Sequence, residues 1–230
     1  MIVSEPQQLA PLIDHTLLSA TTTSEQIRQL SAQAKEYGFC AVSVNPRWTA
    51  FAAEQLHGSR VKVGAVVSLP LGADTTKIKV ASARQAVFDG ADEIDMVADL
   101  AAIAEGDAAY LADQLKSVLK VCRAMRPAVT LKVIIESAAL TREQKIFACR
   151  IANDCRVDFV KTSTGMNPAG GATAADVRLI KEYAPKCRVK AAGGIRTAKQ
   201  ATEMIEAGAE RIGTSAGIQI INELRTEQSQ

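Results

Sequence analysis

LKVIIES (131–137), VDFVKTS (157–163), RVKAAGG (188–194) and RIGTS (211–215) are short β-rich runs in the second half of a 230-residue chain, and their reading decides the fold. They are close to continuously apolar rather than alternating. That pattern belongs to strands covered on both faces, as in a parallel sheet flanked by helices. Upstream the same kind of run recurs at LIDHTLL (12–18), FCAVSVN (39–45), VKVGAVVSL (61–69) and EIDMVA (93–98), the first being the least regular.

Between the runs lie stretches with helical ends. Ser24 is placed to cap a helix whose Ile27, Leu30 and Ala34 share one face and which stops at Gly38. Pro46 suits a first helical turn, with Gly58 past the end. Thr141 with Gln144, and Thr197 with Gln200, have capping-box spacing ahead of the helices that follow the fifth and seventh strands. Gly38, Gly90 and Gly208 each separate an amphipathic stretch from the next strand. Eight strands alternate with eight helices, the last beginning near Ser215, and no linker or low-complexity stretch divides them. This predicts a single α/β domain over residues 1–230, a closed (β/α)8 TIM barrel. An open doubly wound sheet would more often carry a GxGxxG turn after its first strand, and the chain has none.

Composition narrows the partners. The 27 basic and 25 acidic residues are interspersed, leave a formal charge of +2 and form no basic stripe, so nucleic acid is not an expected partner. The start, MIVSEPQQLAPLIDH, lacks the positive region and long apolar run of a signal peptide. No stretch approaches the ~18 apolar residues of a membrane span. The five cysteines are odd in number and lack CxxC spacing, which reads as buried, reduced thiols in a cytoplasmic protein. The polar end TEQSQ (226–230) carries no motif.

In such a barrel the reactive groups sit at the carboxyl ends of strands. Asp95 in EIDMV, Lys161 in FVKTSTG and Lys190 in VKAAGG lie inside runs that otherwise read as core. Burying an unpaired charge costs several kcal/mol. One such lysine can be a snorkelling side chain, but two on different strands together with an aspartate point to chemistry. A solvated lysine has a pKa near ~10.4 and is protonated at neutral pH. A second ammonium and partial desolvation both disfavour the charged form, leaving an amine able to attack a carbonyl. The resulting iminium permits C–C cleavage or formation, with the carboxylate relaying protons.

The glycines suggest an anionic substrate. Gly193 and Gly194 follow the seventh strand, Gly213-Thr214-Ser215 end the eighth, and Gly165 follows Lys161. Exposed backbone N–H groups at such ends bind phosphate. Only two histidines exist, so a zinc site built on a histidine cluster is hard to assemble, and neither a metal nor another cofactor is expected. His57, beside Gly58, reads as a surface residue, whereas Asp14 and His15 are placed to border the site.

DHTLL (14–18), EIDMV (93–97), LKVIIES (131–137), DFVKTSTG (158–165), VKAAGGIRT (189–197) and AGAERIGTS (207–215) resemble, in this order, the deoxyribose-phosphate aldolase family over nearly the whole chain. The resemblance implies a class I lyase that reversibly cleaves 2-deoxy-D-ribose 5-phosphate to acetaldehyde and D-glyceraldehyde 3-phosphate through a lysine Schiff base, within deoxynucleoside catabolism. It assigns the imine to Lys161, the lowering of that residue's pKa to Lys190, and proton relay to Asp95. Asp14 and Thr164 match positions that hold the sugar hydroxyls. Gly165, Gly193, Gly194, Arg196, Gly213 and Ser215 match positions that hold the phosphate end. Members are commonly dimers, so a homodimer is the assembly the resemblance suggests. Ser43 stands where many members carry cysteine, Met166 where some carry lysine, and Ala216 where a second serine is common. Two alternatives stay open on the residues alone. One is a Schiff-base aldolase or transaldolase acting on a different phosphosugar; the other is a barrel that binds a phosphosugar without turning it over.

Overall fold

Eight parallel strands close on themselves in sequence order, β1 to β8, with β8 pairing back onto β1. They are β1 Ile13–Leu17, β2 Ala41–Val44, β3 Lys62–Val67, β4 Glu93–Val97, β5 Thr130–Ile134, β6 Phe159–Lys161, β7 Arg188–Ala192 and β8 Arg211–Thr214. Each falls within or beside a run expected from sequence. The computed structural model describes residues 5–227, so the first four residues of the segment read for a leader and the last three of the polar end lie outside the described residues.

Ten α-helices are present among the described residues: α1 Pro6–Leu9, α2 Ser24–Tyr37, α3 Thr49–Leu56, α4 Thr76–Phe88, α5 Leu100–Glu105, α6 Ala108–Arg123, α7 Arg142–Cys155, α8 Ala174–Tyr183, α9 Ala198–Glu206 and α10 Gly217–Glu227. The expected count of eight is therefore corrected. A short helix precedes β1, and the connection after β4 is split in two. The split has a local cause: Gly106 takes a left-handed conformation that ends α5, and the Asp107 side chain accepts the N–H of Tyr110 to start α6.

The cap expected at Ser24 belongs to Thr23. Its extended backbone lets its hydroxyl accept the N–H of Gln26 while the Gln26 side chain accepts the N–H of Thr23. The boxes at Thr141/Gln144 and Thr197/Gln200 form as the spacing predicts. Gly38 ends α2 in the left-handed region, and Pro46 opens a short 3-10 turn that runs into α3.

The strand register separates two faces. Val42, Val63, Ile94, Met96, Leu131, Val133, Val160, Val189 and Ile212 are buried in the main apolar core against the helices. The other parity faces the barrel axis, and here the register pairs Gly64 with Glu93, Asp95 with Lys132, Lys161 with Lys190, and Lys190 with Arg211. Side chains at paired positions of neighbouring parallel strands share a face, so these charged groups converge on the axis.

Beneath Lys161 the ring of Phe159 fills the lower barrel, with the guanidinium of Arg188 4.0 Å and that of Arg211 5.3 Å from its centroid. The end of β4 is pinned from outside. Buried Lys79 on α4 donates to the carbonyl of Val97 (2.8 Å) and to Gln114 Oε1 on α6 (2.9 Å), which also accepts the N–H of Asp99 (3.1 Å). These bonds fix the strand that carries Asp95.

Cys122, Cys149, Cys155 and Cys187 are buried free thiols and Cys40 is half-buried. Among the described residues no helix is long and apolar enough to cross a membrane. Thr141→Ala should cost about 1 kcal/mol of stability through loss of the α7 cap. The measurement is a lower urea midpoint at unchanged slope.

Candidate active site

Seven ionisable side chains from six strands meet on the barrel axis. Asp95 Oδ2 accepts from Lys161 Nζ at 2.8 Å and from Lys190 Nζ at 2.7 Å, and Asp95 Oδ1 accepts from Lys132 Nζ at 2.8 Å. Asp14 Oδ2 accepts from Lys190 (2.5 Å) and Lys132 (2.9 Å), while its Oδ1 accepts from Arg211 (2.7 Å). Glu93 closes the base, bound by Lys132 at 2.5 Å and by Arg211 at 3.0 Å. The cluster thus holds four cationic side chains against three carboxylates, all buried.

The cations are not equivalent. An ammonium carries three N–H donors. Lys132 spends all three on carboxylates, Lys190 spends two, and Lys161 spends one. Lys161 is therefore the ammonium least compensated for its burial, and it is also the lysine that lines the open cavity. Burial, reinforced by the charges of Lys190 and Lys132 and opposed by Asp95, brings its pKa down to about 8. Burial would lower Lys132 too, but Asp14, Asp95 and Glu93 outweigh it and hold that pKa above the ordinary lysine value. Burial would raise both aspartates. The cations prevail, keeping Asp14 and Asp95 well below the usual carboxylate range.

Above the cluster opens a cavity of about 320 Å³, walled by the ends of β1, β6, β7 and β8 and the loops after them, Thr16–Ser19 closing it on the β1 side. Lys161, Thr164, Gly165, Gly193, Gly194, Arg196, Gly213 and Ser215 all line it. Among the described residues the N–H groups of Gly165, Gly194 and Ser215 have no protein acceptor. With the Arg196 side chain they make a cradle suited to an anion. Gly193, at φ +94, lies where a Cβ would come 3.1 Å from Gly171 Cα and 3.3 Å from Gly165 Cα, so a side chain there would push these loops apart. Gly213 serves a second purpose: a Cβ on it would sit 2.9 Å from Lys190 Cε. Its bareness leaves the path along which Lys190 reaches Asp14 and Asp95.

The two residues expected to border the site from β1 part company. Asp14 points inward into the ion cluster, below the cavity rather than in its wall. His15, of opposite parity, points outward, with Nε2 3.0 Å from Gln33 Oε1 and its ring against Phe39. His57 is exposed. A larger and more open hollow of about 600 Å³ lies outside β1 between α2 and α10, but no lysine or carboxylate lines it.

Lys132, Glu93 and Arg211 belong to the cluster and were not singled out from sequence. The signal was present for Lys132, a lone charge in the apolar run LKVIIES, as telling as Lys161 in its own strand. Glu93 and Arg211 begin their strands, where a charge ordinarily reads as a solvated end. Among the described residues no group of three or more His, Cys, Asp or Glu is arranged to hold a metal ion.

The arrangement can present an amine to a carbonyl compound, hold the resulting cation against a carboxylate, and seat an anionic group beside it. Known proteins share the whole chain pattern. A deoxyribose-phosphate aldolase of Thermococcus gammatolerans is 48% identical over 223 residues, 96% of this chain and 98% of that protein. One of Carboxydothermus hydrogenoformans is 46% identical over 218 residues, covering 94% and 95%. The tetrameric deoxyribose phosphate aldolase structure from Aeropyrum pernix superposes with a TM-score of 0.90 at 28% identity, over 98% of this chain and 94% of that one. An aldolase named QR15 superposes at 0.88 with 37% identity, over 96% and 97%. Residues 9–223 match the family described as DeoC/LacD family aldolase, and the chain belongs to that family.

Proposed function

We propose that this chain reversibly cleaves 2-deoxy-D-ribose 5-phosphate to acetaldehyde and D-glyceraldehyde 3-phosphate, with Lys161 as the Schiff-base nucleophile. The observation that carries the proposal is the position of Lys161: one acceptor below it, an open cavity above it, and a pKa brought down to about 8. About a tenth is then free amine at pH 7, against roughly one part in a few thousand for a solvated lysine. The amine adds to the aldehyde carbon of the open-chain sugar, and loss of water gives an iminium. Removal of the proton from the hydroxyl on the third carbon lets the bond between the second and third carbons break. Its electron pair passes to the enamine, and D-glyceraldehyde 3-phosphate departs. Protonation of the enamine carbon and hydrolysis then release acetaldehyde and restore the amine.

Asp95 suits two tasks in this sequence. Its Oδ2, 2.8 Å from Lys161 Nζ, faces the nitrogen that becomes cationic in the iminium. It is also the carboxylate nearest the reacting atoms for passing protons through a hydroxyl or water. Lys190 shares Oδ2 with Lys161 and Lys132 holds Oδ1, so Asp95 is not left to stabilise the Lys161 ammonium alone. The cradle of Gly165, Gly194, Ser215 and Arg196 would take the phosphate. Residues 1–230 would act as one barrel in the cytoplasm, as a homodimer or a larger homo-oligomer.

Incubation with acetaldehyde and sodium borohydride should add a single ethyl group at Lys161, read by peptide mass spectrometry. Lys161→Ala should abolish both the adduct and sugar cleavage. Retained turnover in that variant would remove Lys161 as nucleophile, and an adduct without sugar cleavage would redirect the search to other acceptors.

Because the free amine is the reactive form, the rate of trapping should rise with pH, with its midpoint at about 8. Lys190→Leu removes a cation that lowers the Lys161 pKa and leaves Asp95 more fully to Lys161. Its midpoint should move upward by about one unit or more. A midpoint that stays in place would exclude Lys190 from setting the proton.

A further inference from the structure

Glu136 lies two residues beyond β5, ahead of a 3-10 turn over Ser137–Ala139, in a left-handed conformation (φ +54, ψ +56) that residues with a side chain rarely adopt. Its carboxylate is buried, and among the described residues it has no cationic partner within ion-pair distance. Instead, among the described residues the hydrogen bonds to this carboxylate converge on one residue of the loop after β6. Thr164 N donates to Glu136 Oε1 at 3.2 Å and to Oε2 at 3.3 Å, and Thr164 Oγ1 donates to Oε2 at 2.6 Å. Thr164 Oγ1 also accepts the N–H of Met166 at 3.1 Å.

A threonine hydroxyl has one proton and two lone pairs. Here the proton goes to Glu136 and one lone pair to Met166, so a single lone pair remains for the cavity that Thr164 lines. Thr164 can therefore accept from a substrate but cannot donate to it. It stands three residues after Lys161 and immediately before Gly165, between the nucleophile and the anion cradle. A hydroxyl on the carbon between the reacting carbonyl and the phosphate would donate to Thr164, which donates in turn to the carboxylate. Such a chain ending on a charge is stronger than a neutral one.

We infer that Glu136 is a positioning residue that fixes the Thr164 hydroxyl as an acceptor, so that the site selects an acceptor aldehyde bearing a hydroxyl on the carbon next to its carbonyl. The inference rests on the aldolase reading above. In the synthetic direction that aldehyde is D-glyceraldehyde 3-phosphate, and the matched analogue without the hydroxyl is 3-oxopropyl phosphate.

The experiment measures kcat/KM for both aldehydes with acetaldehyde as donor, in wild type and in Glu136→Gln. Glutamine keeps the shape but removes the charge. Its Oε1 can still accept the Thr164 N–H, while its NH2 faces Thr164 Oγ1 and frees the hydroxyl proton to turn toward the cavity. The preference for the hydroxylated aldehyde should fall by about tenfold. A role confined to holding the loop would slow both aldehydes equally, so a preference within about twofold of wild type overturns the inference.

Should Glu136→Gln not fold, Glu136→Asp retracts the charge from Thr164 by one methylene and should lower the same ratio, with the same reading if it does not. Thr164→Ser keeps the hydroxyl and should hold the ratio; a fall there would equally count against a hydroxyl-borne preference. Wild type adding acetaldehyde to neither aldehyde would refute the aldolase reading itself, a result distinct from an unchanged ratio.

Discussion

One constraint organises the barrel: four cations and three carboxylates are enclosed together, so full ionisation leaves an uncompensated positive charge in a region of low dielectric. Release of one proton relieves it, and donor geometry decides which. Lys132 is held by three carboxylates and Lys190 by two, whereas Lys161 has a single bond and a cavity in front of it. The lowered pKa of Lys161 is thus a property of the whole cluster rather than of that residue alone. Formation of an iminium would return the missing charge to the nitrogen, where Asp95 already waits at 2.8 Å.

The fold supplies what such a cluster needs. Each strand contributes one or two inward positions, and parallel register brings residues distant in sequence to the same height, as with Lys161 beside Lys190 and Asp95 beside Lys132. The helix-facing parity remains apolar and supplies the burial that offsets a charged interior. Small residues make the remaining room, most clearly Gly213, over which the Lys190 chain passes. A change in packing at such a position would act on the chemistry through the proton balance.

The architecture was legible because strand hydrophobicity, glycine stops and capping residues agree along the chain. Where local signals were finer than this, the reading slipped. Thr23 and Ser24 are both competent caps, and only the backbone angles choose between them. The break between α5 and α6 depended on Gly106 and Asp107 within a stretch whose helical pattern continues past it. Lys161 and Lys190 stood out as charges in apolar runs. Glu93 and Arg211 did not, because a charge at the first residue of a strand reads as exposed until a closed barrel places it over the axis. The role of Glu136 could not be read at all from sequence, since it depends on a left-handed backbone that turns its carboxylate toward a loop 28 residues later.

The two ends of the cavity make opposing demands on Lys161. A phosphate seated at Gly165, Gly194, Ser215 and Arg196, as proposed, would bring negative charge toward the amine, and negative charge favours the ammonium. On the proposed function Lys161 must stay available as the free amine while the substrate is bound. Lys190 and Lys132 suit this demand because both are bonded to Asp14 and Asp95 below the cavity rather than lining it. The cradle in turn relies mainly on backbone N–H groups, which hold an anion without adding a lysine that would compete for the same aldehyde. Methionine at position 166, where a lysine would place another amine beside the cavity, fits this division of labour. Cationic charge is concentrated beneath Lys161, and the proposed phosphate end is left chiefly to dipoles and one guanidinium.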